Sequence, residues 1–194
     1  MSTIALRHQY RQIRQSLSAS EQSDNAQLLM HNINQYLRLS RPQKVAAYIA
    51  TRGEISLNPW ISKNQRHQIF LPKLYEIISP RLRFAALTEH TRWIRNRFKI
   101  MEPACHWGET QEASQMDIIL LPLVAFDRTG QRMGMGGGYY DRSLAFRRSR
   151  KQWLKPRLIG VAHGCQEHPR LSGQSWDVPL DAIITQNEII HPHC

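Results

Sequence analysis

The chain has 194 residues, with 26 Lys and Arg against 15 Asp and Glu, a formal charge of +11. That length fits one domain with a sizeable core, and 41% hydrophobic residues exclude a disordered chain. The longest apolar run, residues 118–126, is nine residues against the roughly 20 that a bilayer span needs, and no apolar leader is visible. Three widely spaced cysteines, Cys105, Cys165 and Cys194, argue against a disulfide framework and for a cytoplasmic protein. Arg supplies 20 of the 26 cations, and its planar fork matches phosphate and carboxylate oxygens in pairs. Nucleic acid, nucleotides and a polyacidic small molecule stay open as partners, beside a merely solvated basic face.

The first forty residues read as a helical pair. Leu6, Tyr10, Ile13 and Leu17 form one apolar stripe, with Arg7, Arg11 and Arg14 around it. Ser18 followed by Glu21 is a capping-box pattern, so a second helix is expected to start there and run to about residue 39. Arg41-Pro42 stops it, because the residue before a proline is pushed out of the α region. Short apolar runs follow at 45–50, 69–71, 117–124, 158–162 and 182–185. They are continuously apolar, as expected of parallel strands covered on both faces. Segments 58–65 and 139–150 read as helices, and 81–88 alternates like an edge hairpin strand. The expected fold is α/β: a single domain over 1–194 with a doubly wound, mainly parallel sheet, helices on both faces and the N-terminal pair packed on it. Ligands of such sheets sit beyond the carboxyl ends of the strands, so the loops after Ala50, Val124 and Ala162 are candidates.

The most informative stretch is DIILLPLVAFDRTGQRMGMGGGYYD, Asp117 to Asp141. A buried strand runs into a turn at Asp127–Gly130, then a loop with Gly134, Gly136, Gly137 and Gly138, then a helix. Such glycines let backbone amides approach phosphate, and the helix N-terminus adds partial positive charge. Arg132 and Arg142 flank the loop, and Asp141 stands where a carboxylate can hold the Mg²⁺ of a nucleotide. The loop lacks the Gly-Lys-Ser/Thr ending of a Walker A motif, and Tyr139 stands in the third glycine's place of the dinucleotide pattern.

These residues resemble the 5-formyltetrahydrofolate cyclo-ligases, also called 5,10-methenyltetrahydrofolate synthetases. The match comprises Pro122, Phe126-Asp127, Gly130, Arg132, Gly134, Gly136 and Gly138-Tyr139-Tyr140-Asp141. Leu6-Arg7, Leu17-Ser18, Tyr48 with Glu54, Leu71-Pro72, Glu102-Pro103, Gly160, Asp177, Leu180-Asp181 and Ile184-Thr185 follow the family pattern in order along nearly the whole chain. The resemblance implies an ATP- and Mg²⁺-dependent ligase that closes 5-formyltetrahydrofolate to 5,10-methenyltetrahydrofolate, releasing ADP and phosphate. In that mechanism the formyl oxygen takes the γ-phosphoryl group, N10 attacks the activated carbon, and phosphate leaves.

Carried over by position, Arg132 and Tyr139 are implied to be catalytic. Arg7, Arg132, Gly134, Met135, Gly136, Gly137, Gly138, Tyr139 and Tyr140 are implied to bind ATP. Ile49, Glu54 and Tyr139 are implied to bind the folate, which can bear a polyglutamate tail, and Asp141 and Asp177 to hold Mg²⁺. A cytoplasmic monomer without nucleic-acid or membrane partners is implied. Thr3 stands where the family often has the Lys of a K-x-x-x-R pair, and Gly137 where many members have Lys. These departures are expected to change rate or nucleotide affinity, not reaction type.

His163, Cys165 and His168, and His191, His193 and Cys194, lack zinc-type spacing and read as structural or surface residues. Trp93, Trp107, Trp153 and Trp176 read as packing or surface cover before pterin stacking. Two other functions compete: a basic domain that binds RNA or a nucleotide without turnover, and a folate binder without catalysis.

Overall fold

The computed structural model describes residues 2–38, 41–75, 81–149, 155–173 and 178–192. Ser2 caps helix α1 (Thr3–Gln15), and the expected capping box opens α2 (Ala19–Tyr36). There the Ser18 N–H donates to the Glu21 carboxylate at 2.8 Å and the Glu21 N–H donates to Ser18 Oγ at 3.2 Å. Helix α2 stops at Tyr36, short of residue 39, because Leu37 leaves helical backbone while its N–H still reaches the Ile33 carbonyl.

The chain continues through β1 (Lys44–Ala46), α3 (Asn58–Lys63), β2 (Gln68–Tyr75), β3 (Arg81–Ala86), β4 (Trp93–Arg95), β5 (Met101–Pro103) and β6 (Thr110–Gln111). It ends with β7 (Ile118–Pro122), β8 (Ala125–Phe126), β9 (Arg132–Met133), α4 (Tyr139–Leu144), β10 (Arg157–Val161), β11 (Ala182–Ile184) and β12 (Ile189–Ile190). Helix α3 is shorter than 58–65, since Asn64 is extended and its side chain turns the chain by accepting from the His67 N–H. Helix α4 likewise gives way to a tighter 3₁₀ turn, Ala145–Ser149, before residue 150.

Eight strands form one sheet in the order β12-β11-β10-β7-β1-β2-β3-β6. The five from β11 to β2 are parallel, while β12 on β11, β3 on β2 and β6 on β3 pair antiparallel, so the sheet is mixed though mainly parallel. Strand β3 is not an edge, because β6 pairs its outer side. Alternate residues of the central strands serve two cores. Ile118 and Leu120 of β7 pack with Leu29 and Ile33 of α2 and Trp60 of α3. Ile119 and Leu121 face the other way, toward Leu144 of α4, Phe70 and Phe84. Truncating any of these fully buried aliphatics to Ala costs about 2–5 kcal/mol.

Strands β1 and β7 lie side by side, yet the chain leaves β1 toward β2 and leaves β7 toward β10 on the opposite side. That reversal opens a crevice beyond their carboxyl ends, where parallel α/β sheets bind ligands. Helix α1 packs on the small β8–β9 sheet. Tyr10, with Leu6 and Ile13, meets Val124, Ala125, Met133 and Leu171 there, while Arg7 and Arg14 of the same helix reach the Gly134 and Leu123 carbonyls.

Candidate active site

Two loops meet in the crevice. The loop after β1 carries Tyr48, Ile49, Thr51, Arg52 and Glu54, and the segment after β7 carries the glycines. Between them lies a cleft of about 370 Å³. Asp127 shapes the second segment from below, as the turn expected at 127–130. Fully buried, it accepts from the Thr129 N–H at 2.9 Å, the Gln131 N–H at 3.2 Å and the Leu171 N–H at 2.7 Å, which folds β8 onto β9. The glycine loop then rises from β9 and ends at Gly138, whose left-handed backbone (φ +64°) caps α4.

The sequence-derived residues largely converge. Ile49, Glu54, Arg132, Gly134, Met135, Gly136, Gly137, Gly138, Tyr139, Tyr140 and Asp141 all line the cleft. Arg7 does not line the cleft; it reaches the glycine loop from α1, donating through Nε to the Gly134 carbonyl at 2.9 Å. Its guanidinium carbon would lie 3.6 Å from a Cβ at Gly136. Arg132 is almost buried and ion-paired to Asp141. Asp177, Trp153, Trp176, His193 and Cys194 lie outside the described residues.

Glu54 is nearly buried and receives the Thr51 N–H at 3.0 Å and the Thr51 hydroxyl at 3.3 Å. Burial pushes its carboxyl above the usual range, while Arg14 and the Thr51 hydrogen bonds pull it back. Burial also raises the Tyr140 phenol, with Glu54 adding to the shift and Arg132 opposing it, so Tyr140 stays neutral. The Tyr139 hydroxyl receives a hydrogen bond from Arg97, and Phe98 packs edge-on against its ring at 6.0 Å. Arg142 sits 5.3 Å from the same ring and donates to the Gly137 carbonyl.

Several cleft residues carry little sequence signal. Asn96, Phe98, Ile100 and Met101 come from the β4–β5 hairpin, whose short strands, β4 exposed throughout, show no apolar period. The buried Glu102 pins that hairpin to β2 by accepting from the Leu74 N–H at 3.2 Å, with Lys73 3.5 Å away. Trp93 and Trp107 are exposed and do not line the cleft, and Arg83 stacks on Trp107 at 4.1 Å.

No three His, Cys, Asp or Glu side chains converge as a metal cage among the described residues. The donors present fit Mg²⁺ in its usual nucleotide setting, where one or two carboxylates suffice beside phosphate oxygens. Asp141, a third exposed at the cleft lip, is such a carboxylate. Much of the remaining charge is internally balanced: Arg128 pairs with Glu167 and Glu188, Arg147 with Asp181, and Lys155 with Asp117.

Fold and site together define an α/β protein with a glycine-rich loop and a nearly buried carboxylate lining one cleft at the switch point of the sheet. A model of the 5-formyltetrahydrofolate cyclo-ligase family matches residues 2–186, and the chain belongs to that family. It is 33% identical over 181 residues to the 5-formyltetrahydrofolate cyclo-ligase of Escherichia coli strain K12, covering 92% of this chain and 97% of that protein. With the Haemophilus influenzae enzyme of the same name it shares 32% identity over 183 residues, or 92% and 95% of the two chains. Among solved structures it is similar to the 5,10-methenyltetrahydrofolate synthetase of Aquifex aeolicus. The TM-score there is 0.83 at 29% identity, over 100% of this chain and 94% of that one. The Mycoplasma pneumoniae synthetase gives a TM-score of 0.71 at 27% identity, over 96% and 99%. No described helix is long and apolar enough to cross a membrane.

Proposed function

We propose that the chain closes 5-formyltetrahydrofolate to 5,10-methenyltetrahydrofolate at the expense of ATP, releasing ADP and phosphate. The observation that carries this reading is the meeting of Glu54 and the 132–141 segment in one cleft of about 370 Å³. Those two motifs are 78 residues apart in sequence, counted from Glu54 to Arg132, and belong to different loops.

The formyl group of the substrate is an amide, whose oxygen is a poor leaving group until phosphorylated. The glycine-loop amides from Gly134 to Tyr140, with Arg7 and Arg132, cradle the triphosphate, since backbone N–H groups and guanidinium forks suit phosphate oxygens. Arg132 also balances the charge that develops as the γ-phosphoryl group moves to the formyl oxygen. Mg²⁺, when bound, neutralises phosphate charge; Asp141 holds it, and Asp177 is a second candidate ligand. Glu54 accepts from pterin-type N–H donors, Ile49 packs beside the ring, and Tyr139 lies between the two substrates. N10 then attacks the activated carbon, and phosphate leaves with the former formyl oxygen. The protein's chief contribution is alignment of two reactants in a pocket that limits water. The whole chain acts as one domain, a cytoplasmic monomer in this reading, and its basic surface suits folates with a polyglutamate tail.

Incubating the pure protein with 5-formyltetrahydrofolate, ATP and Mg²⁺ tests this. The near-ultraviolet absorbance of the methenyl product is expected to grow, and to stay flat with a non-hydrolysable ATP analogue. A folded protein that binds both substrates yet gives no absorbance change overturns the reading.

A further inference from the structure

Arg14 is fully buried, the only Arg among the described residues to be so, although it belongs to a surface helix. Its guanidinium reaches three separate parts of the site. Nη1 donates to the Leu123 carbonyl just past β7 at 2.9 Å, and Nε donates to the Arg52 carbonyl at 3.2 Å. Nη2 lies 3.5 Å from Glu54 Oε1 and 3.8 Å from the Met135 sulfur of the glycine loop. A cation is withdrawn from water only where such partners are in place, because removing one leaves buried charge uncompensated. Burial holds the guanidinium below its usual pKa, with Glu54 opposing, yet an Arg in a protein stays charged.

Glu54 is the group that feels this charge most directly. Around it stand Arg14 from α1, Arg52 from its own loop, and the neutral phenols of Tyr48 and of Tyr140 from α4. Arg11 from α1 and His163, beyond β10, interact electrostatically with Arg14. Among the described residues, only Arg14 places a cation within 4 Å of the carboxylate.

We propose that Arg14 is the positioning residue of the folate half of the site, keeping Glu54 ionised and fixed while tying its loop to Leu123 and Met135. This rests on the reading that Glu54 contacts the folate. Arg14 itself does not line the cleft, so it acts through Glu54. Ionised, Glu54 offers only acceptors to the pterin N–H donors; protonated, it loses one acceptor to a hydroxyl.

The test follows the Glu54 carboxyl by carbon-13 NMR, with the resonance assigned by its loss in Glu54→Gln. Arg14→Met is expected to move the Glu54 titration midpoint up by about one unit or more. Its KM for 5-formyltetrahydrofolate rises about tenfold while its KM for ATP changes much less, and the acid limb of kcat/KM moves with the NMR midpoint. Arg14→Lys restores the midpoint because it restores the charge. A folded Arg14→Met whose midpoint stays put, or whose two KM values rise together, overturns the proposal. Should Arg14→Met fail to unfold cooperatively, Arg14→Gln replaces it, alone and combined with Glu54→Gln. The folate KM of the double variant is expected to match Glu54→Gln alone, and additive losses overturn the proposal. Absence of turnover in the unaltered protein would refute the functional reading, whereas the NMR titration still decides whether Arg14 controls Glu54.

Discussion

Arg7 Nε donates to the Gly134 carbonyl at 2.9 Å across 127 residues of sequence. The contact fastens α1 to the glycine loop and leaves the guanidinium beside Gly136. Arg7→Ala removes a charge-assisted hydrogen bond and the phosphate contact proposed for Arg7, a loss of about 1.5–3 kcal/mol. Steady-state kinetics are expected to show kcat/KM for ATP falling about tenfold or more, with a smaller change for the folate. Equal losses for both substrates would place Arg7 in the scaffold instead.

The Arg132–Asp141 ion pair leads to a second expectation. Asp141→Asn keeps the side chain's size but removes the carboxylate assigned to Mg²⁺. Half-maximal activity is expected to need about tenfold more Mg²⁺, read from a Mg²⁺ titration at fixed ATP. An unchanged requirement would move the metal role to another residue.

Gly138 holds φ at +64°, and a Cβ there would lie 2.6 Å from Arg142 Nη1. Gly138→Ala therefore meets backbone strain of about 1–2 kcal/mol and displaces the guanidinium that grips the Gly137 carbonyl. A lower melting temperature and a raised KM for ATP are expected together. Unaltered melting would mean that this backbone accepts a side chain freely.

His163 is fully buried, with Nδ1 3.1 Å from Asn25 Nδ2. Burial pushes its pKa down to about 4, helped by Arg14 and opposed by a hydrogen bond to the Gly53 backbone. The unfolded chain takes up a proton near pH 6.5, and the folded protein does so only near 4. Stability supplied by the neutral ring is thus present above pH 6.5 and is lost as pH falls toward 4. Urea midpoints measured at several pH values are expected to drop across that window, and to drop less in His163→Gln. Parallel profiles for the two proteins would contradict the assignment.

Much of this architecture is legible in the sequence, for physical reasons. The buried parallel strands announce themselves because both faces are covered, so Ile118 to Leu121 need no polar alternation. The glycine loop is legible because left-handed backbone, as at Gly136 and Gly138, favours residues without a side chain. The β4–β5 hairpin is not, since Trp93, Ile94 and Arg95 are all exposed and lack a period to read. Arg14 escapes for the opposite reason. On a helix with an apolar stripe, a flanking Arg reads as solvated, and only the approach of Leu123, Arg52 and Glu54 shows that it is enclosed. The strand lengths also needed the structure, because β1 ends at Ala46 and, of residues 47–50, Tyr48 and Ile49 turn to line the cleft.

The central claim is that the 132–141 segment transfers a phosphoryl group to the formyl oxygen. Substrate labelled with oxygen-18 in the formyl group tests this most directly, with the released phosphate analysed by mass spectrometry. Each phosphate formed is expected to carry one labelled oxygen, matched one for one with methenyl product. Label released into water, with phosphate unlabelled, would contradict the account.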